Sequence, residues 1–145
     1  MGNFAEEVSS TFKSEHHKAF FNLKYTSSYL SSIIDVVFTK SNISSQQYNV
    51  LRILRGAKKA IKVSSVKERM IEKSPNTTRL MDKLVSKNLI IRSRREEDRR
   101  AVYVEITELG LDLIDEIKVD DDLLELDKIS TEEAFELNRI LDKIR

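Results

Sequence analysis

The sequence predicts a mainly α-helical chain that carries one small β-hairpin, an α+β arrangement. Three observations predict it. Only three of the 145 residues are Gly and one is Pro, so good helix formers dominate and breakers are few. Apolar residues recur at three- and four-residue spacings over most of the chain, the helical period. That period gives way to two in one place, between Leu89 and Thr107. The length suits one domain with a real core.

The first long helix is expected from about Lys18 to Lys40, where Phe20, Leu23, Leu30, Ile34 and Val37 form one stripe. Phe21, Tyr25, Tyr29, Ile33 and Val36 widen the stripe beyond what one neighbouring helix covers, which predicts a second buried face against another chain. Phe4, Val8 and Phe12 are too sparse to decide between helix and arm for the first fifteen residues. Ser44 opens a second helix with Tyr48, Val50, Leu51 and Leu54 as core positions and Gly56 as its stop. The segment from Gly56 to Lys62 reads as a basic linker. Ser65 and Glu68 have the spacing of a capping box for a short third helix ending near Ile71, with Val66 and Met70 inward. For the fourth helix, Ser74 is the expected cap, Pro75 the first helical residue and Asn88 the left-handed stop. Thr77, Leu80, Met81 and Leu84 share its inward face, whereas Asn76, Arg79, Lys83 and Lys87 share a polar one.

Leu89–Arg92 and the alternating run Ala101–Thr107 are then antiparallel strands closed by a charged tip, Glu96 to Arg100. Helical spacing returns at Glu108 through Leu111, Ile114 and Ile117, and Leu123, Leu124 and Leu126 continue the apolar content. Ser130 with Glu133 caps a last helix bearing Leu137, Ile140, Leu141 and Ile144. The expected order is four helices, two strands and two helices: a winged helix-turn-helix between helices with surplus apolar surface.

The net charge of +1 conceals a strong asymmetry. Residues 52–100 hold sixteen Lys/Arg against six Asp/Glu, and residues 101–145 hold five against fourteen. The basic middle is either a footprint for phosphates or a solvated set of helix faces. No apolar run reaches the roughly 18 residues of a membrane span, and the polar N-terminus lacks the order of a signal peptide. These point to a soluble cytoplasmic protein. With no cysteine, disulfides and thiolate metal sites are excluded. An enzyme reading fails on inventory: there is no phosphate-cradling glycine loop, no nucleophile motif, and the two histidines are adjacent. No catalytic residue, cofactor or metal is expected. His16 and His17 point apart on a helix and lack a third ligand, and Asp120–Asp122 lacks the spaced oxygens of a calcium loop.

A basic helix followed by a basic hairpin can address a DNA major groove and the neighbouring minor groove together. Asn76, Thr77, Thr78 and Arg79 at the start of the fourth helix are candidates for base or phosphate contact, with Lys83 and Lys87 further along meeting phosphate or water. Thr77 has a second reading as an inward-packing residue, and Thr78 as a lining of the groove between helices. At the hairpin tip, Arg100 suits a narrow minor groove, and Asp98 stands where a carboxylate can hold that arginine. Arg92, Arg94, Arg95 and Arg99 are candidates for less specific phosphate contacts. The alternative reading of the tip is an ordinary charged turn.

The run Asp98-Arg99-Arg100-Ala101-Val102-Tyr103-Val104-Glu105-Ile106-Thr107-Glu108-Leu109-Gly110 resembles the wing signature of the MarR (multiple antibiotic resistance regulator) family: Asp-x-Arg, an alternating strand, then Thr-x-x-Gly. Thr78–Leu84 is similar to that family's recognition-helix core, and Ile43–Leu51 to the start of its second helix. The likeness covers about residues 43–110, with Asn88 standing where the family usually has glycine. It implies a DNA-binding lobe at 43–110 within one domain, flanked by dimerisation helices at 1–42 and 111–145. It also implies a homodimer on a pseudo-palindromic double-stranded operator, acting more often as repressor than activator. A small aromatic effector is implied too, for which His16, His17, Tyr25 and Tyr29 are the candidate pocket. The competing expectation is a winged helix that has become a protein-interaction module.

Overall fold

The computed structural model describes residues 2–73, 75–119 and 123–145. Its contacts divide the chain into two compact units, Met1–Ile34 with Asp120–Arg145, and Asp35–Val119.

The second unit holds the helix-turn-helix and hairpin. The end of α2 (Glu15–Lys40) enters it and buries Phe38, whose ring stacks on Tyr48 at 4.5 Å. α3 (Ser45–Ala57) starts in a full capping box: Ser44 Oγ accepts from the Gln47 N–H, and Gln47 Oε1 accepts from the Ser44 N–H. Val50, Leu51 and Leu54 face the core as the periodicity requires. The helix runs through Gly56, however, and stops at Lys58, which takes the left-handed conformation at φ 56°. Gly56 is therefore not the stop; the left-handed residue that ends α3 is Lys58, two positions later.

The supposed linker contains a strand. β1 (Ile61–Lys62) pairs antiparallel with β3 (Asp98–Ile106), Ile61 against Val104 and Lys62 against Tyr103. α4 (Val63–Arg69) follows directly, so Ser65 lies inside the helix rather than capping it, and the N-cap Lys62 makes no side-chain cap. Val66 and Met70 are buried, as expected. α5 (Thr77–Ser86) begins after Asn76, which places Pro75 before the helix rather than in its first turn. The proposed cap Ser74 lies outside the described residues. Asn88 does adopt the left-handed stop, at φ 59°.

β2 (Ile90–Arg95) pairs with β3 from Ile90 against Ile106 to Arg95 against Asp98, with an irregularity between Ser93 and Arg95. The sheet order is β1-β3-β2. The reversal needs only Glu96 and Glu97; Asp98, Arg99 and Arg100 already belong to β3. Val104 is buried at the centre of the three strands. Thr107 then joins β3 to α6 (Glu108–Glu116): its Oγ1 accepts from the Gly110 N–H and donates to the Asn88 carbonyl at 2.7 Å. Gly110 sits where a Cβ would lie 2.4 Å from the Leu89 carbonyl oxygen. The Thr-x-x-Gly sequence is thus a helix cap combined with a close backbone approach.

The first unit contains a one-turn helix, α1 (Phe4–Glu7), capped by Asn3, together with most of α2. A 3₁₀ turn at Leu126–Lys128 precedes α7 (Thr131–Ile144), which opens in the expected Ser130–Glu133 capping box. No residue of α1 or α7 is buried within the chain, and Phe135 and Ile144 are 72% and 67% exposed. No described helix is long and apolar enough to cross a membrane.

Candidate nucleic-acid interface

α5 acquires its two faces from its sequence. Thr77, Leu80, Met81 and Leu84 are buried, so Thr78, Arg79, Asp82 and Lys83 are turned outward. Thr77 is 1% exposed, which removes it from the set of candidate DNA contacts: its place on the apolar face outweighs its polar type. Asn76, Thr78, Arg79 and Lys83 are exposed and remain. Asn76, Arg79 and Lys83 line a shallow depression of about 270 Å³ with Gln46 of α3, which brings two helices to one polar surface. The turn before α5 is anchored on α3, because Asn49 Oδ1 accepts the Ile71 N–H at 3.1 Å. Lys87 is partly withdrawn, its ammonium donating to the Asn42 carbonyl.

On the hairpin the arginines divide into two groups. Arg92 is ion-paired with Asp82 of α5, which ties the wing to the helix it follows. Arg94 donates to the Arg99 carbonyl at 2.8 Å, across the turn. Arg95 lies over the Tyr103 ring, 4.1 Å from its centroid. Among the described residues, Arg99 and Arg100 are exposed and enter no ion pair. The sequence treats Arg94, Arg95 and Arg99 alike; the fold holds the first two against the protein and leaves the third outward.

Asp98 also differs from expectation. Its carboxylate does not pair with Arg100 but with the Lys62 ammonium, at 3.1 Å. The Lys62 hydrogen bond is the main cause that holds the Asp98 carboxyl below its ordinary range, and the Ala101 and Arg100 backbone N–H groups act in the same direction. Reciprocally, Asp98 raises Lys62. Sequence reasoning missed Lys62, since nothing local marks a linker lysine as a strand residue.

These pieces meet at a cleft of about 360 Å³ between α4, α5 and the hairpin. Lys62, Lys67, Arg92 and Arg100 surround it, and Ser64 and Thr78 add hydroxyls. Lys62 and Arg92 are already ion-paired with Asp98 and Asp82, so Lys67 and Arg100 are the cations that favour a phosphate there.

The candidate effector residues lie in the first unit, and only two of the four are brought together. His17 and Tyr25 line a cavity of about 540 Å³ with Phe4, Phe12, Phe21 and Lys24. Tyr29 instead donates to Glu125 at 2.6 Å, and that bond raises its phenol. Lys128 donates to the same carboxylate at 2.7 Å and is the first cause of its lowered pKa. His16 is exposed and does not line the cavity. The described residues contain no cluster of three or more His, Cys, Asp or Glu suited to a metal.

A helix-turn-helix with a polar outward helix face, a paired wing and a cationic cleft joining them defines the class: a winged helix-turn-helix regulator of transcription. Residues 32–117 match the family described as transcriptional regulator SarA/Rot, and the chain belongs to that family. It is similar to the HTH-type transcriptional regulator YfiV of Bacillus subtilis, with 41% identity over 69 residues, 48% of this chain and 42% of that protein. The chain thus matches less than half the length of that relative. It is also similar to the HTH-type transcriptional regulator PecS of Dickeya dadantii, with 28% identity over 116 residues, 77% of this chain and 70% of that one. The structure of a mutant Escherichia coli MarR complexed with operator DNA superposes with a TM-score of 0.80 at 22% identity, covering 93% of this chain and 99% of that one. That likeness establishes the fold, which is the MarR winged helix that the wing signature implies.

Proposed function

We propose that this chain is a sequence-specific DNA-binding regulator that acts as a homodimer, in the repressing sense, on a pseudo-palindromic operator. The observation that carries the reading is the cationic cleft, which places Thr78 of α5 beside Arg100 of the wing. In this reading Thr78 and Arg79 meet base edges or phosphates in the major groove, with Asn76 and Lys83 beside them. Arg100 enters the adjacent minor groove and Arg99 holds phosphate. The operator DNA bound by the structurally similar Escherichia coli protein supports the same use of the fold.

The dimer is supported by exposed apolar surface in the first unit: Phe20, Leu23, Phe135, Ile140 and Ile144 are each at least 44% exposed. A two-fold pairing of such faces is the commonest way to cover them. Two recognition helices would then address half-sites about 34–36 Å apart, one turn of DNA. The aromatic cavity around His17 and Tyr25, with Lys24 at its edge, suits a small aromatic anion as effector. A cytoplasmic place of action belongs to the same reading.

The test is selection of duplexes from a random-sequence pool, followed by fluorescence anisotropy at two salt concentrations. A selected duplex preferred over a scrambled one by about a thousandfold or more, with steep salt dependence, is expected. Equal affinity for both duplexes would reduce the protein to a nonspecific binder.

A further inference from the structure

We propose that Lys62, through its ion pair with Asp98, sets the pose of the wing tip from which Arg100 reaches DNA, and so acts as a positioning residue for minor-groove recognition. The inference rests on the DNA-binding reading above and adds a residue to it.

Lys62 occupies an unusual junction. It is the last residue of β1, the residue opposite Tyr103 on β3 and the N-cap of α4 at once. Its backbone is therefore fixed by the sheet on one side and by a helix on the other. From that fixed base its ammonium bonds Asp98, the first residue of β3 after the turn. The carboxylate it holds lies near enough to the backbone N–H groups of Ala101 and Arg100 for both to favour its charged form, after the larger effect of Lys62. One carboxylate thus links the helix-turn-helix to the segment that carries the exposed arginine. The hairpin otherwise projects from the sheet beyond β1, and its pairing is irregular between Ser93 and Arg95, just before the turn. A two-stranded ribbon with a break in its ladder is a poor platform for a long side chain, and ordering it beforehand lowers the cost of binding.

Direct electrostatics and positioning predict opposite signs for one substitution. Replacing Asp98 by Asn removes a negative charge beside a polyanion, which by charge alone tightens binding. If Asp98 serves to position the tip, the same change weakens it.

The experiment uses the full chain and the duplex that the wild-type protein selects from a random pool. Affinities are measured for Lys62→Met, Asp98→Asn, the double variant, Arg100→Ala and Lys62→Met/Arg100→Ala. Lys62 is exposed and Asp98 only half-buried, so the fold is expected to persist, and circular dichroism with thermal melting checks it. Each of Lys62→Met and Asp98→Asn should weaken binding about two- to fivefold, the range of an exposed ion pair. The double variant should be no weaker than the weaker single one, and Lys62→Met should have little further effect once Arg100 is gone. Amide hydrogen exchange at Arg99–Ala101 in the free protein should quicken in both single variants. Tighter binding by Asp98→Asn, or a Lys62→Met effect that persists undiminished without Arg100, overturns the proposal and makes Lys62 a plain phosphate contact. If the wild-type protein selects no duplex, the DNA-binding reading fails first, and the hydrogen-exchange comparison still decides whether Lys62 orders the tip.

Discussion

Gly110→Ala tests the corner where the wing meets α6. In an open helix position the change is stabilising, because Ala exceeds Gly in helix propensity by about 1 kcal/mol. Here the added Cβ would lie 2.4 Å from the Leu89 carbonyl oxygen and 2.7 Å from Ile106 Cγ1. An ordinary carbon–oxygen contact is about 3.3 Å or more, so one backbone must retreat by nearly an ångström. Leu89 has little room to yield: its N–H donates to the Leu84 carbonyl at 3.0 Å, and its own carbonyl accepts the Thr107 N–H at 3.1 Å. Overpacking costs about 1–3 kcal/mol, and losing the Thr107 bond about another 1 kcal/mol. Subtracting the propensity gain leaves a net loss of about 1–3 kcal/mol, read as a lower urea midpoint. Gly56 is the internal control. It is exposed, lies in the last turn of α3 and has nothing within 4 Å of the place a Cβ would take, so Gly56→Ala should gain about 0.5–1 kcal/mol. A Gly110→Ala protein as stable as wild type would refute the close-approach argument.

Four other outcomes are expected. Arg79→Ala and Arg100→Ala should each weaken binding to the selected duplex by about 1–3 kcal/mol if they meet base edges, whereas Arg94→Ala and Arg95→Ala should cost less, because those side chains are already engaged at the Arg99 carbonyl and the Tyr103 ring; anisotropy that ranks all four alike would remove that division. Leu84→Ala in the core of α5 should lose about 2–5 kcal/mol of stability by denaturant titration, with a change below about 1 kcal/mol arguing against its burial. The Lys62–Asp98 pair has a definite pH window. Asp98 is depressed, so its contribution is complete above the ordinary carboxylate range and is lost as pH falls through its lowered pKa. Lys62 is raised, so its share is complete below the ordinary lysine range and is lost only as pH rises through its higher pKa. Wing-tip hydrogen exchange, corrected for intrinsic rate, should therefore be flat from about pH 5 to 9, and a step near neutrality would contradict the pairing. Finally, Phe135→Glu with Ile140→Glu on α7 should shift a dimer to monomer in analytical ultracentrifugation, and an unchanged mass would move the interface elsewhere.

Much of the architecture is legible in the chain because its signals are local. The 3.6-residue period fixes which side of α5 is buried, and it places Thr77 with Leu80, Met81 and Leu84 although threonine is polar. The Ser130–Glu133 box and the left-handed Asn88 are read directly, since each depends on atoms a few residues apart. Two other local signals did not hold. Ser65 has capping-box spacing to Glu68, but the pairing of Ile61 and Lys62 with β3 starts α4 earlier and leaves Ser65 inside it. Gly56 looks like a stop, but a glycine within a helix costs only about 1 kcal/mol, and α3 absorbs it for one more residue.

Neighbours along the chain are enough to set the helical periods, the hairpin, the caps at Ser44, Asn88 and Ser130 and the concentration of positive charge between residues 52 and 100. They are not enough to make Lys62 a strand residue bound to Asp98, or to hold Arg92 and Arg95 while Arg99 and Arg100 face outward. Nor do they show that Gly110 is required by a carbonyl twenty-one positions earlier. Each of these depends on two segments that meet only after the sheet has closed, and a lysine or arginine carries no mark of the partner it will find.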